Sequence, residues 1–173
     1  MANKKQIVTS VIIHTNKEQV WDKLYHQFGD ISIFNPNLDH SYQITTGAVQ
    51  VGTERRCDLD ANTYIKETIT HADEYNSMSI DIYDGNMPML NTMDINIKLN
   101  PLSNSKTEII LIANFNTKPT FMAGLMKLPL RKKMTDLLIG LKYYLETGNE
   151  VSKHSYKPIL KAFKQLPINQ PFI

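Results

Sequence analysis

The chain has 173 residues, 42% of them hydrophobic, enough for one domain with a single substantial core. Nineteen basic residues against seventeen acidic leave a formal charge of +2, mixed along the chain. No basic block is long enough for a phosphate-backbone footprint, which argues against nucleic acid as a partner.

The N-terminal residues run into an alternating pattern rather than an apolar signal core, and no apolar stretch approaches the length of a membrane span. The lone cysteine, Cys57, has no intrachain disulfide partner and fits a reducing compartment. A cytoplasmic protein without stable membrane insertion is expected.

Residues 6–14 are rich in β-branched side chains (Ile7, Val8, Thr9, Val11, Ile12, Ile13) and predict a strand. Residues 15–19 offer two overlapping capping-box registers for a helix start. Val20, Trp21, Leu24 and Phe28 form the buried stripe of that helix, and Gly29 is expected to stop it. A second helical turn is expected over residues 30–34, limited by Pro36.

Strands are then predicted over 38–46, 53–59, 63–71, 77–83, 91–99 and 107–115, with turn formers between them and a polar loop over 101–106. Residues 91–99 alternate cleanly, with Met93, Ile95, Ile97 and Leu99 on one face. The strand over 107–115 is apolar on both faces, so both should be at least partly covered.

A long helix is predicted over 120–147, roughly 40 Å at 1.5 Å per residue. Leu130, Met134, Leu137, Leu138, Leu141 and Leu145 make its buried stripe, and Gly148 sits where a left-handed cap is wanted. Arg131, Lys132 and Lys133 read as its solvated face. Pro129 predicts a kink or break, since it lacks the amide that would bond the carbonyl of Leu125. Residues 149–173 form a basic, proline-punctuated tail. Ile159, Leu160, Phe163 and Leu166 could line a short helix docked on the domain of residues 1–148, or a segment that binds a protein partner.

The element order strand, two helices, six strands, long helix describes an α+β layer arrangement. At this point the residues resemble a family. The order β-α-α-β6-α is that of the helix-grip fold of the SRPBCC superfamily, which includes START domains, birch-pollen-allergen-like proteins and polyketide cyclases. "VIIHTNKEQVWDKLYHQFGDISIFNP" resembles the family's opening strand, helix and Phe/Trp-x-Pro turn. "VGTERRCDL" resembles its glycine-to-arginine strand, "YIKETITHADE" its Glu-bearing strand, and "LIGLKYYLETG" the end of its last helix. The closest subfamily resemblance is to the polyketide cyclase/dehydrase and lipid-transport-like group, which also contains the plant abscisic-acid receptors.

That resemblance implies a curved antiparallel sheet wrapped around the long helix, with an apolar cavity between them. It aligns Glu67 with a cavity glutamate, which brings Ile65 and Ile69 to the same inner face. Arg55, Cys57 and Leu59 then face inward from the preceding strand, Ile80 and Ile82 from the following one, and Met93, Ile95 and Ile97 continue the wall. Phe121, Met122, Leu125 and Met126 would form the lid side of the helix. Residues 60–62 and 84–88 sit where the receptors have their cavity-gating loops.

Glu67 is the sharpest chemical candidate. An acid among isoleucines has its charged form disfavoured unless a cation or hydrogen bond compensates. It could orient a ligand, act as general acid or base, or pair with Arg55, Arg56 or Lys66. Tyr64 and Tyr83 are further candidates to fix a ligand's polar end. Cys57 has no feature that would make it a thiolate and reads as a small buried hydrophobe. Methionines at 87, 89, 93, 122, 126 and 134 suit either a permissive pocket or an ordinary core.

The five histidines fall on separate elements without metal-ligand spacing, and no cofactor motif occurs. The favoured expectation is a non-enzymatic protein that binds or transports a small hydrophobic molecule. A cyclase, dehydratase or isomerase using Glu67 is the alternative, and a protein-interaction module the third.

Overall fold

A computed structural model describes residues 4–172 of the chain. Residues 1–3 and Ile173, assigned from the sequence to the N-terminal lead-in and the tail, lie outside the described residues.

The first strand, β1 (Lys5–Ile13), ends at a helix start capped by Asn16, whose side chain accepts the amide of Gln19 at 2.9 Å. Helix α1 (Lys17–Trp21) widens into a π-turn over Asp22–His26, with the Gln27 amide reaching back to the Asp22 carbonyl. A 3-10 turn over Phe28–Ile33 follows.

Gly29 therefore lies inside a helical turn rather than at a helix stop. Its role is close approach: a Cβ there would stand 2.8 Å from the Gln43 backbone nitrogen on the neighbouring strand. That strand, β2, is anchored to the turn by Ser41, which donates to the Gly29 carbonyl at 2.7 Å and accepts from the Ser32 amide.

Six strands then run in sequence: β2 (His40–Gln43), β3 (Glu54–Asp58), β4 (Tyr64–Asp73), β5 (Ser77–Gly85), β6 (Leu90–Ser103) and β7 (Lys106–Thr117). All neighbours are antiparallel, in the order β1-β7-β6-β5-β4-β3-β2. Strand β2 is shorter than expected, and Leu38 is buried in a turn before it. The polar loop expected over 101–106 is instead ladder, with Ser103 opposite Lys106. Apolar alternation stops there, but exposed backbone can still pair, so residue pattern under-reads the length of this hairpin.

Strand β7 presents Ile109, Leu111, Ala113 and Phe115 to the core. It pairs along its length with β1 on one side and β6 on the other.

Helix α2 (Ala123–Thr147), preceded by a 3-10 turn over Thr120–Met122, spans the sheet and ends at Gly148. The cap is left-handed (φ 76°), and its amide bonds the Tyr144 carbonyl. The break expected at Pro129 does not occur, because helix continues through it. Pro129 and Leu125 are both exposed, so the carbonyl that loses its donor can turn to water.

Gly140 lets α2 approach the turn below it. A Cβ at this position would lie 2.0 Å from the Phe34 carbonyl oxygen.

The tail folds back on the outer side of α2. Helix α3 (Tyr156–Gln165) buries Tyr156 and Ile159 against Ile139, together with Val151 and Phe172. Its apolar face is thus covered within the chain, while Lys157, Lys161 and Lys164 face out. Besides the contacts of Lys153 with Asp39 and the Leu59 carbonyl, three polar contacts fasten the tail. Tyr156 donates to Asp136 at 2.8 Å, the Phe172 amide donates to Glu146 at 2.8 Å, and the Val151 amide donates to the Ile33 carbonyl.

Candidate ligand-binding site

A cavity of about 90 Å³ lies between the inner face of the sheet and α2. Strand alternation builds its wall, since every second side chain of a strand points to the same face. Arg55 and Cys57 come from β3, Ile65 and Glu67 from β4, and Ile80 and Ile82 from β5. Met93, Ile95 and Ile97 of β6 and Leu111 of β7 continue it. About two turns of one helix face, Leu130, Lys133, Met134 and Leu137, form the opposite side. Leu24, Ile31 and Leu38, Asn35 and Asn37, and Leu59 and Met87 complete the lining.

On the sheet side the two charged groups are paired with each other. Arg55 Nε donates to Glu67 Oε2 at 2.5 Å, with each residue only 4% exposed. Arg55 Nη1 donates to the Phe28 carbonyl at 2.8 Å, and the guanidinium lies 4.0 Å from the Phe28 ring centroid. The β3–β4 register places the two residues directly opposite each other, which makes the pair a cross-strand contact. Burial opposes the charge on Arg55, and Glu67 more than offsets it, raising the guanidinium above its ordinary pKa. The Cys57 thiol lies 3.5 Å from Glu67 Oε2. Burial and then the neighbouring carboxylate push it up, so it is a neutral thiol.

The helix side differs. Asn35 Oδ1 accepts from the Asn37 amide at 3.0 Å and from Asn37 Nδ2 at 2.9 Å, which orients the carboxamide. Asn37 Nδ2 also donates to the Lys133 carbonyl at 2.9 Å, so the three residues form one cluster. The Lys133 ammonium is half-buried; burial, and then the charge of Lys153, lower its pKa from the ordinary lysine value.

Of the residues expected at the site, the structure brings Arg55, Cys57, Leu59, Ile65 and Glu67 to the cavity, with Ile80, Ile82, Met93, Ile95 and Ile97. It does not bring the others. Ile69 is buried in the packed core, at the far end of the β3–β4 pairing where its amide bonds the Thr53 carbonyl. Tyr83 is 46% exposed, because strand alternation that sends Ile82 inward must send its neighbour outward. Tyr64 lies outside too, its ring 4.1 Å from the Arg56 guanidinium.

The expected lid is also reversed. Phe121 and Leu125 are 75% and 68% exposed, since Ala123, Met126 and Leu130 occupy the inward face of that end of α2. Met126 packs on the core and Met122 is half-buried, but neither reaches the cavity.

Reading the sequence missed Asn35, Asn37 and Lys133. For Lys133 the signal was available. It stands three residues after Leu130 and four before Leu137, which is the spacing of one helix face.

An antiparallel sheet folded around one long C-terminal helix, with two short helical turns between its first two strands, defines the helix-grip fold. The chain shares that fold with several solved proteins. Ara h 8.0201 superposes with a TM-score of 0.67 at 13% identity, over 82% of this chain and 97% of that one. A START superfamily protein from Mycobacterium smegmatis gives 0.66 at 11% identity, over 81% and 95%. The Zhui aromatase/cyclase from Streptomyces sp. R1128 gives 0.64 at 13% identity, over 86% and 100%. At these identities the likeness establishes the fold alone. No family model matches the chain, and no curated protein does.

Proposed function

We propose that this protein binds a small hydrophobic molecule, without transforming it, in the cavity between the sheet and α2. The observation that carries the reading is the cavity itself, an apolar space inside an otherwise packed core, with its few polar groups held in place. Its size favours a slim ligand, since the engineered apolar cavity that admits benzene is about 150 Å³. A bulkier ligand would have to displace Met87, Met93 or Met134, side chains that re-pack at little cost.

Glu67 serves this reading as a fixed part of the wall. An acid or base needs a carboxylate free to exchange a proton, whereas one oxygen of Glu67 is held by Arg55 at 2.5 Å. For that reason a binding protein is favoured over a cyclase or isomerase. The tail supports the same choice over an interaction module, because its apolar face is spent on α2.

Titration with neutral apolar molecules, 1-pentanol and 1-octanol, followed by amide chemical shifts, tests the proposal. Saturable shifts clustered at Ile65, Ile80, Met93 and Leu137 are expected. Shifts absent at millimolar ligand, or scattered over the outer surface, would sink it.

A further inference from the structure

The cavity wall carries two sets of polar groups of opposite character, one on the sheet and one on the helix side. On the sheet the charges cancel, with Arg55 and Glu67 paired at 2.5 Å. On the helix side there is a cation without a counter-ion. Lys133 Nζ has no acid within 4.0 Å and no hydrogen-bond acceptor among the described residues, yet the residue lines the cavity.

The acids around Lys133 are all engaged elsewhere. Asp136 is held by Lys132 at 2.5 Å and by the Tyr156 hydroxyl at 2.8 Å. Asp60 accepts the backbone amides of Asn62 and Thr63, each at 2.9 Å. Asp39 is paired with Lys153 at 2.6 Å, and Lys153 also donates to the Leu59 carbonyl.

A second donor stands beside Lys133. Asn35 is 92% buried, from a relative exposure of 8%, and its Oδ1 is taken twice by Asn37. That leaves Nδ2 as the unused half of the carboxamide, with no acceptor among the described residues. Neither group has a protein acceptor among the described residues, so the Asn35 Nδ2 and the half-buried Lys133 ammonium are both free to donate to a ligand. Two such groups on one cavity wall describe the chemistry of what completes them, which is an acceptor carrying negative charge.

We propose that the cavity takes a small hydrophobic carboxylate, its chain among Ile80, Met93 and Leu137 and its carboxylate between Lys133 and Asn35. The inference rests on the cavity-binding reading above and adds the charge of the ligand and the side on which that charge sits. Arg55 does not compete for the anion, because Glu67 already neutralises it.

The test is a matched comparison at pH 7 of octanoate with 1-octanol, and pentanoate with 1-pentanol, by titration calorimetry. The proteins are wild type, Lys133→Met and Asn35→Asp. Charge-assisted pairing in a mostly apolar cavity predicts that wild type prefers each acid over its alcohol by about tenfold or more. Lys133→Met should erase the preference by lowering acid affinity far more than alcohol affinity. Asn35→Asp keeps the acceptor that Asn37 uses and replaces the free donor with a carboxylate oxygen, so it should lower acid affinity selectively.

Equal affinity for acid and alcohol in wild type overturns the anion assignment and leaves the cavity reading standing. A preference that survives Lys133→Met and Asn35→Asp overturns the placement of the anion on this side. If neither acid nor alcohol binds, the cavity reading fails, and this inference with it.

Discussion

Replacing Glu67 by Gln keeps the side chain's volume and removes its charge, so it isolates what the buried pair contributes. In the substituted protein Arg55 keeps the Phe28 carbonyl at 2.8 Å and the Phe28 ring, but loses its counter-ion at 2.5 Å. Breaking a buried ion pair from one side costs about 3–5 kcal/mol, because the other charge stays buried and uncompensated. The surviving Phe28 contacts, and the ability of glutamine to accept from Nε, place the expected cost near ~3 kcal/mol. With a urea m-value of about 2 kcal/mol/M, the unfolding midpoint should fall by roughly 1.5 M.

The companion double variant, Arg55→Met with Glu67→Leu, removes both charges and should recover most of that loss. A midpoint shift below about 0.3 M in Glu67→Gln would refute the reasoning. So would a double variant whose loss is the sum of the two single losses.

Three further outcomes follow from the packing of α2 and the tail. Gly140→Ala should cost about 3 kcal/mol or more in urea unfolding, because its methyl would meet the rigid Phe34 carbonyl; a neutral result would place α2 farther from that turn. Tyr156→Phe should cost about 1.5 kcal/mol, at the low end for a bond to a charged acceptor because Lys132 still serves Asp136; unchanged stability would mean the tail is not held there.

Glu146 governs the acid limb. Burial opposes its charge, but Lys142, the amides of His14 and Phe172 and the His14 ring hold its carboxyl below the ordinary pKa. Its folded pKa is depressed, so its contribution is present above the unfolded value of 4.5 and is lost as pH falls through the folded value. Stability measured from pH 7 down to pH 3 should therefore fall less steeply in Glu146→Gln. Equal slopes in the two proteins would contradict this.

The fold was legible where burial imposes a period. The strand alternation over 91–99 and the leucine stripe of α2 each name one buried face, and that suffices to place the sheet against the helix. The same rule exposes two inconsistencies in the expected site. Ile82 and Tyr83 cannot both point inward from one strand, and Phe121 and Leu125 lie opposite the face that carries Met126 and Leu130.

Lys133 was legible and misjudged, because its chemical type outweighed its position between Leu130 and Leu137. Asn35 and Asn37 were not legible. Their orientation depends on hydrogen bonds to each other and to the Lys133 carbonyl, a contact 96 residues away that no local pattern encodes. The docking of α3 depends on Tyr156 meeting Asp136, and nothing in the residues around Tyr156 gives a hint of that.

The cavity also carries an energetic argument that can be tested. At about 24 cal/mol per Å³, an empty space of 90 Å³ costs the fold about 2 kcal/mol. Natural cores retain such a cost where function needs the space, and filling it should trade binding for stability. Leu137 stands on the helix wall, where a larger ring would add volume to the lining.

Leu137→Phe should therefore gain up to about 1 kcal/mol, the remainder being lost to imperfect fit, and should weaken 1-octanol binding at least tenfold. In a filled core the same change would be overpacking, and would cost about 1–3 kcal/mol. The sign of one unfolding measurement thus separates a retained binding space from ordinary packing. A destabilised Leu137→Phe that still binds 1-octanol would show that the space between α2 and the sheet is not where the ligand goes.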